Sequence, residues 1–206
     1  MLHILYIIAI IAEAITASLS AGRRDMDWVG VLIISWITAL GGGTIRNMFL
    51  GHYPMSWVEH PEYLVITAVA AISTVFIAKF MKHLKKLFLF LDAVGLVVFT
   101  IIGCQVAQDL DMPAIIVILS GMVTGCAGGI LRDVLCNDVP LIFQKEVYAS
   151  ASLLTGAIYL SIFYGFGGEY QHYATVAAFF IGLCLRLCAM KYEWQMPKFV
   201  YRDEWH

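Results

Sequence analysis

Thr38-Ala39-Leu40-Gly41-Gly42-Gly43-Thr44-Ile45-Arg46-Asn47 and Thr124-Gly125-Cys126-Ala127-Gly128-Gly129-Ile130-Leu131-Arg132-Asp133 carry one pattern twice, 86 residues apart. The same offset pairs Asp25-Met26 with Asp111-Met112, Pro54 with Pro140 and Trp57 with Phe143. Self-similarity at a fixed offset marks an internal duplication, so the fold is to be built from two copies of one unit. Both decamers lie inside long apolar stretches, and those stretches decide the fold class.

Seven such stretches occur, at 2–22, 28–50, 62–81, 87–108, 113–136, 147–167 and 171–190. About 20 residues, at 1.5 Å each, cross a hydrocarbon layer roughly 30 Å thick. The chain of 206 residues is 61% hydrophobic and 14% charged, with a mean hydropathy of +0.81, whereas a soluble domain has about a quarter of its residues charged. That composition excludes both a soluble domain and a disordered chain. A net charge of −2 supplies no basic field for nucleic acid, and no such partner is expected. Runs such as Ala114-Ile115-Ile116-Val117-Ile118-Leu119 show no period of two, so the spans read as helices rather than barrel strands. The expected fold is an all-α integral membrane protein in the lipid bilayer, with seven transmembrane helices.

Residues 1–86 then form a first three-helix repeat, 87–168 a second, and 169–206 the seventh helix with a short tail. Three is odd, so the second repeat enters the membrane inverted. In that plan a pseudo-two-fold axis lies in the membrane plane and the functional pathway runs at the repeat interface. Arg23, Arg24, Lys79, Lys82, Lys85, Lys86, Lys145, Arg186, Lys191, Lys198 and Arg202 all fall on one side of the predicted spans. Basic loops stay in the cytoplasm during insertion. This places the N-terminus outside and the C-terminus inside a plasma (inner) membrane. No positive charge precedes the first apolar run, which therefore reads as a span rather than a secretory signal.

Glycine in mid-helix costs about 1 kcal/mol relative to alanine, and irregular backbone at membrane depth is tolerated only against protein or around a cavity. The glycine motifs therefore predict second and fifth helices broken beside a central cavity; close packing through small residues is the competing reading. Arg46 and Arg132 follow the glycines at equivalent positions. An intramembrane charge costs at least ~2.5–3.5 kcal/mol and faces a cavity or a partner, unless it snorkels to the interface. Candidate pathway residues are Thr38, Gly41, Gly42, Gly43, Arg46, Asn47, Thr124, Gly128, Gly129, Arg132 and Asp133. Ser35 and Ser120 add hydroxyls near the motifs. Glu13, in the first span, and Asp92, early in the fourth, are the candidate buried partners of the arginines.

Gly41-Gly42-Gly43-Thr44-Ile45-Arg46-Asn47, Phe90-Leu91-Asp92-Ala93-Val94-Gly95-Leu96 and Gly128-Gly129-Ile130-Leu131-Arg132-Asp133-Val134-Leu135, with Val139-Pro140 and Tyr148-Ala149, resemble the trimeric intracellular cation (TRIC) channel family in its prokaryotic form. The resemblance covers roughly residues 5–190. It implies a homotrimer whose seven-helix subunits each contain an hourglass-shaped pore, with the second and fifth helices kinked at the glycines. It also implies conduction of monovalent cations, chiefly potassium. Arg46-Asn47 departs from the Arg-Asp form of the second repeat. A second reading is a carrier for a small solute such as glycine, to whose transport a family relative is linked; a motif arginine would then hold the substrate carboxylate.

Cys104, Cys126, Cys136, Cys184 and Cys188 lie in or beside spans and form no C-x-x-C pair, so buried thiols are expected. His52, Glu59, His60 and Glu62 read as a solvated loop. No metal and no cofactor are expected, the permeant potassium ion aside. No serine or cysteine has a recognisable base near it, so no enzyme is expected. Trp28, Trp57, Phe143, Tyr192 and Trp194 read as interfacial anchors.

Overall fold

The computed structural model describes residues 2–80, 84–144, 147–166 and 171–194. Among them run nine helices: α1 (Leu2–Gly22), α2 (Trp28–Leu50), α3 (Ser56–Glu59), α4 (Glu62–Ala78), α5 (Leu84–Asp109), α6 (Ala114–Leu135), α7 (Leu141–Gln144), α8 (Tyr148–Phe166) and α9 (Gln171–Lys191). Six of these are long and apolar enough to cross a membrane, and α4 is a shorter apolar helix of 17 residues. They fall on the seven expected spans. α4 stops at Ala78, short of the expected end at residue 81, and α5 starts at Leu84 rather than residue 87. Lys82, Lys145, Lys198, Arg202 and the tail from Met196 to His206 lie outside the described residues.

The duplication extends to backbone conformation. Asp25 and Asp111, 86 residues apart, have φ of 52° and 54° in the turns before α2 and α6. The following amides make the same bond in both units, Met26 N to Ala21 O at 3.2 Å and Met112 N to Ala107 O at 3.1 Å. Gly51 and Asn137, again 86 apart, adopt φ of 66° and 53° just past α2 and α6. Glycine and asparagine are the residues that tolerate this left-handed conformation at a helix end. The short helices α3 and α7, not anticipated from the sequence, occupy corresponding places in the two units.

α5 is the axis of the bundle, buried almost without interruption from Asp92 to Gln105. A helix apolar on all sides belongs in a core rather than at a surface. Val94, Val98, Phe99 and Ile102 pack with Ala9 and Ile10 of α1, Ala39 and Leu40 of α2 and Tyr63 of α4. Val97, Ile101 and Cys104 pack with Val117 of α6, Tyr159 of α8 and Ala174 of α9. Val65, Val69, Phe76, Ile115 and Phe180 are more than half exposed, as suits side chains that face lipid.

α2 and α6 cross at their glycine motifs, and here the expectation of a break is corrected. The helical ladder runs through Gly41–Gly43 and through Gly125–Gly129 without interruption. What the glycines provide is proximity. A Cβ on Gly42 would overlap the carbonyl oxygen of Thr124, and one on Gly128 would overlap the carbonyl oxygen of Thr38. Position 42 faces 124 while 38 faces 128, so the two equivalent helices cross antiparallel. Backbone-to-backbone approach of this kind requires small residues, and it offsets the propensity cost that suggested a break. α5 and α6 approach in the same manner: a Cβ on Gly121 would lie 2.7 Å from the Thr100 carbonyl oxygen, and one on Gly125 2.7 Å from that of Leu96.

Candidate functional site

Arg132 leaves α6 four residues past Gly128 and is completely buried. Its Nε donates to Asp133 Oδ1 at 2.8 Å, and its Nη1 donates to Asp92 Oδ1 at 3.0 Å and to Thr16 Oγ1 at 3.1 Å. Glu13 Oε2 stands 3.6 Å from the same nitrogen. Thr16 in turn donates to Glu13 Oε2 at 3.0 Å, and the Tyr148 hydroxyl donates to Asp92 Oδ1 at 3.4 Å. Asp133 is anchored on its other oxygen, which accepts the Leu141 amide at 2.9 Å. The structure thus gathers Glu13 from α1, Asp92 from α5 and Asp133 from α6 on one guanidinium. A buried charge is tolerable only when paired and hydrogen-bonded, and Arg132 is paired through Nε and Nη1, while its buried Nη2 has no hydrogen-bond partner among the described residues.

The equivalent position in the first unit is built differently. Arg46 is 3% exposed, and its Nε and Nη2 donate to Asn47 Oδ1 at 2.9 and 2.7 Å. Among the described residues it makes no ion pair with a carboxylate. The repeat explains why: Asp92 corresponds at the 86-residue offset to Tyr6, and Glu13 to Phe99. Tyr6 and Phe99 meet edge-on, with ring centroids 6.1 Å apart. One end of the pseudo-symmetric pair is therefore acidic and the other aromatic. Glu13 and Asp92 both belong to the acidic end.

A third arginine joins them. Arg186 of α9, assigned above to the cytoplasmic basic cluster, is 1% exposed. Its guanidinium stacks 4.6 Å from the ring centroid of Tyr148, and its Nε and Nη2 have no hydrogen-bond partner among the described residues. The signal was present in the sequence, since Arg186 lies within the last predicted span; counting it with the loop charges hid it. Arg23, Arg24, Lys79, Lys85, Lys86 and Lys191 are exposed, as expected.

Phe88 closes the acidic end. Its ring faces two guanidinium groups, that of Arg132 at 4.6 Å and that of Arg23 at 4.9 Å from the ring centroid. Beyond it opens a cavity of about 400 Å³ lined by Arg23, Arg24, Lys85, Asp133 and Asp138. Arg24 pairs with Asp138 across the cavity mouth. Phe88 was not singled out by sequence, because an aromatic near the start of a span reads as ordinary core.

The remaining predicted residues are all near the crossing. Thr38 and Thr124 are buried, and their hydroxyls donate to Ile34 and Ser120 carbonyls at 2.7 and 2.6 Å. Ser35 bonds its own helix at Val31 O, and Ser120 bonds Gly103 O of α5. Gly43 and Gly129 face the arginines of their own helices, with Cβ positions 3.7 and 3.6 Å from the Nη2 atoms of Arg46 and Arg132. Gly41 abuts Leu131. Trp57 donates its Nε1 to Thr44 at 3.1 Å. His60 and Glu62 form an exposed pair, and no group able to hold a metal ion occurs among the described residues.

This arrangement is similar to solved structures. The TRIC trimeric intracellular cation channel orthologue from Rhodobacter sphaeroides is 32% identical, with a TM-score of 0.88 over 94% of this chain and 98% of that one. The chain belongs to the TRIC family. A prokaryotic TRIC channel crystallised in 0.5 M KCl gives a TM-score of 0.87 at 32% identity, over 95% of this chain and 98% of that one. The family model described as glycine transporter matches residues 3–79 and 89–164, two segments that begin 86 residues apart. Among relatives of this TRIC-family chain, the inner membrane protein YadS of Escherichia coli is 37% identical over 90% of both chains. The membrane protein YvgT of Bacillus subtilis is 33% identical over 97% of both.

Proposed function

We propose that the protein is a cation channel of the plasma (inner) membrane that passes potassium, with one pathway inside each subunit of a homotrimer. The pathway follows the α2–α6 crossing past Thr38, Gly41, Gly42, Gly43, Arg46 and Asn47 on one side and Thr124, Gly128, Gly129, Arg132 and Asp133 on the other. The observation that carries the reading is the pairing of Arg132. An uncompensated guanidinium in an apolar pathway repels a cation, whereas one bearing Glu13, Asp92 and Asp133 within 3.6 Å does not; Arg46, bonded to Asn47 alone, leaves a positive barrier at the other end of the same pathway. Similarity over nearly the whole length to structures described as TRIC cation channels supports it. Those neighbours are channels rather than enzymes.

Residues 1–86 and 87–168 are the two repeats, inverted with respect to each other, and 169–206 is the seventh helix with its tail. The antiparallel contact of Gly42 with Thr124 and of Gly128 with Thr38 supports the inversion. The N-terminus lies outside and the C-terminus in the cytoplasm, which puts Arg23, Arg24, Lys85 and the acidic end of the pathway inside.

A carrier of glycine-like solutes is the second reading, supported by the description of the matching family model and by Arg46, a buried guanidinium with no carboxylate partner among the described residues. Liposomes loaded with potassium or with glycine separate the two. The channel reading expects potassium efflux that does not saturate with concentration and no glycine counterflow. Saturable glycine counterflow from potassium-tight liposomes would overturn it.

A further inference from the structure

We propose that the acidic cluster around Arg132 binds one monovalent cation between Asp92 and Glu13, in competition with a proton, and that Arg186 is the counter-charge that limits its affinity. The proposal rests on the conduction reading and assigns the ion a place within it.

Charge counting comes first. Glu13, Asp92 and Asp133 are 2%, 0% and 5% exposed and share the single guanidinium of Arg132. Asp133 has both oxygens engaged, one by Arg132 Nε and one by the Leu141 amide. Asp92 and Glu13 are left to share Nη1. The elements packed around them contribute these charged or titratable groups: Glu13 from α1, Asp92 from α5, Cys126, Arg132 and Asp133 from α6, Tyr148 from α8 and Arg186 from α9. Three carboxylates against two guanidinium groups leave one negative charge. In low dielectric an unbalanced charge is costly, and one potassium ion or one proton balances it. A divalent ion would reverse the sign.

An independent observation points to the same place. Asp92 Oδ2 is fully buried and has no donor among the described residues, although Oδ1 of the same carboxylate serves both Arg132 and Tyr148. Glu13 is held alongside because Gly95 of α5 has no side chain; a Cβ there would overlap Glu13 Oε1. Two carboxylates on adjacent helices, one with an unused buried oxygen, are hard oxygen ligands of the kind that replaces the hydration shell of an alkali cation. Arg186 faces the site only across the Tyr148 ring, so it offsets charge without bonding to Asp92.

The test is thermal unfolding of the full chain in detergent, titrated with potassium chloride against N-methylglucamine chloride at constant ionic strength. Potassium raises the melting temperature saturably at neutral pH, and the effect fades as the pH falls and protons occupy the site. Asp92→Asn and Glu13→Gln each weaken the apparent potassium affinity by about tenfold or more, whereas Arg186→Met strengthens it. A merely structural role predicts no such opposition of sign. Unchanged potassium dependence in Asp92→Asn, or weakened affinity in Arg186→Met, overturns the site. Should Asp92→Asn fail to fold, the infrared difference spectrum of the wild type between potassium and N-methylglucamine decides, and absence of carboxylate bands overturns it. Currents through the wild type together with an unaltered Asp92→Asn titration reject this site and leave conduction standing. Potassium binding by a protein that passes no current does the reverse.

Discussion

Asp92 and Arg132, on α5 and α6, meet through a 3.0 Å hydrogen bond between Oδ1 and Nη1 with neither side chain reaching the surface. Removing one member of a buried pair strands the other, which typically costs ~3–5 kcal/mol. Arg132 has three carboxylate partners, so Arg132→Met is expected at the upper end of that range. Arg132→Lys keeps the charge but replaces the two bonding nitrogens, Nε and Nη1, with one, and its loss of stability is smaller. Thermal unfolding in detergent at neutral pH gives the order wild type, Arg132→Lys, Arg132→Met. Equal stability of Arg132→Met and wild type would contradict the pairing.

The α2–α6 crossing predicts a matched pair of defects. Gly42→Ala and Gly128→Ala each push a methyl group into a facing carbonyl, and such overpacking costs typically 1–3 kcal/mol. Because both act on one contact, the double variant loses less than the sum of the singles. Gly22→Ala, where nothing lies within 4 Å, leaves the melting temperature within a degree or two, on the order of a surface substitution.

Phe88 lines the charged cavity beside Asp133 and is held between the guanidinium groups of Arg23 and Arg132. Each such contact is worth about 0.5–2 kcal/mol. Phe88→Leu keeps apolar bulk and gives a modest rise in potassium flux from proteoliposomes; Phe88→Ala opens the way further and gives a larger one. Flux unaltered by Phe88→Ala would remove this ring from the pathway.

Tyr6 holds, in the first unit, the place that Asp92 holds in the second. Tyr6→Asp gives Arg46 the partner that Arg132 already has. In a channel this lowers a positive barrier and raises potassium conductance; in a carrier it occupies the guanidinium needed for a carboxylate and abolishes solute uptake. Comparing the two fluxes in one preparation of Tyr6→Asp separates the readings.

The seven spans and the duplication were legible because both are written in one dimension: apolar length against bilayer thickness, and identical motifs at a fixed offset. Glu13, Asp92 and the motif arginines stood out as charges where charge is expensive. What the glycines do was not legible. Helix propensity alone predicts a weakened helix at Gly41–Gly43, but Gly42 and Gly128 each answer a carbonyl on the other helix, a relation that exists only once the two copies are folded together. The burial of Arg186 was not legible for a related reason: its position near the end of α9 fits both a loop charge and a buried one, and only the packing of Tyr148 against it decides. The asymmetry of the two arginine sites was half visible, in Asn47 against Asp133. The other half, Tyr6 against Asp92, lay in residues outside the motif.

The most direct measurement is the reversal potential of single-channel currents from the purified protein in a planar bilayer under a potassium chloride gradient. A cation pathway reverses near the potassium equilibrium potential, and Asp92→Asn shifts the reversal toward zero as selectivity falls. Reversal near the chloride equilibrium potential, or silence from correctly inserted protein that exchanges glycine, would contradict the account.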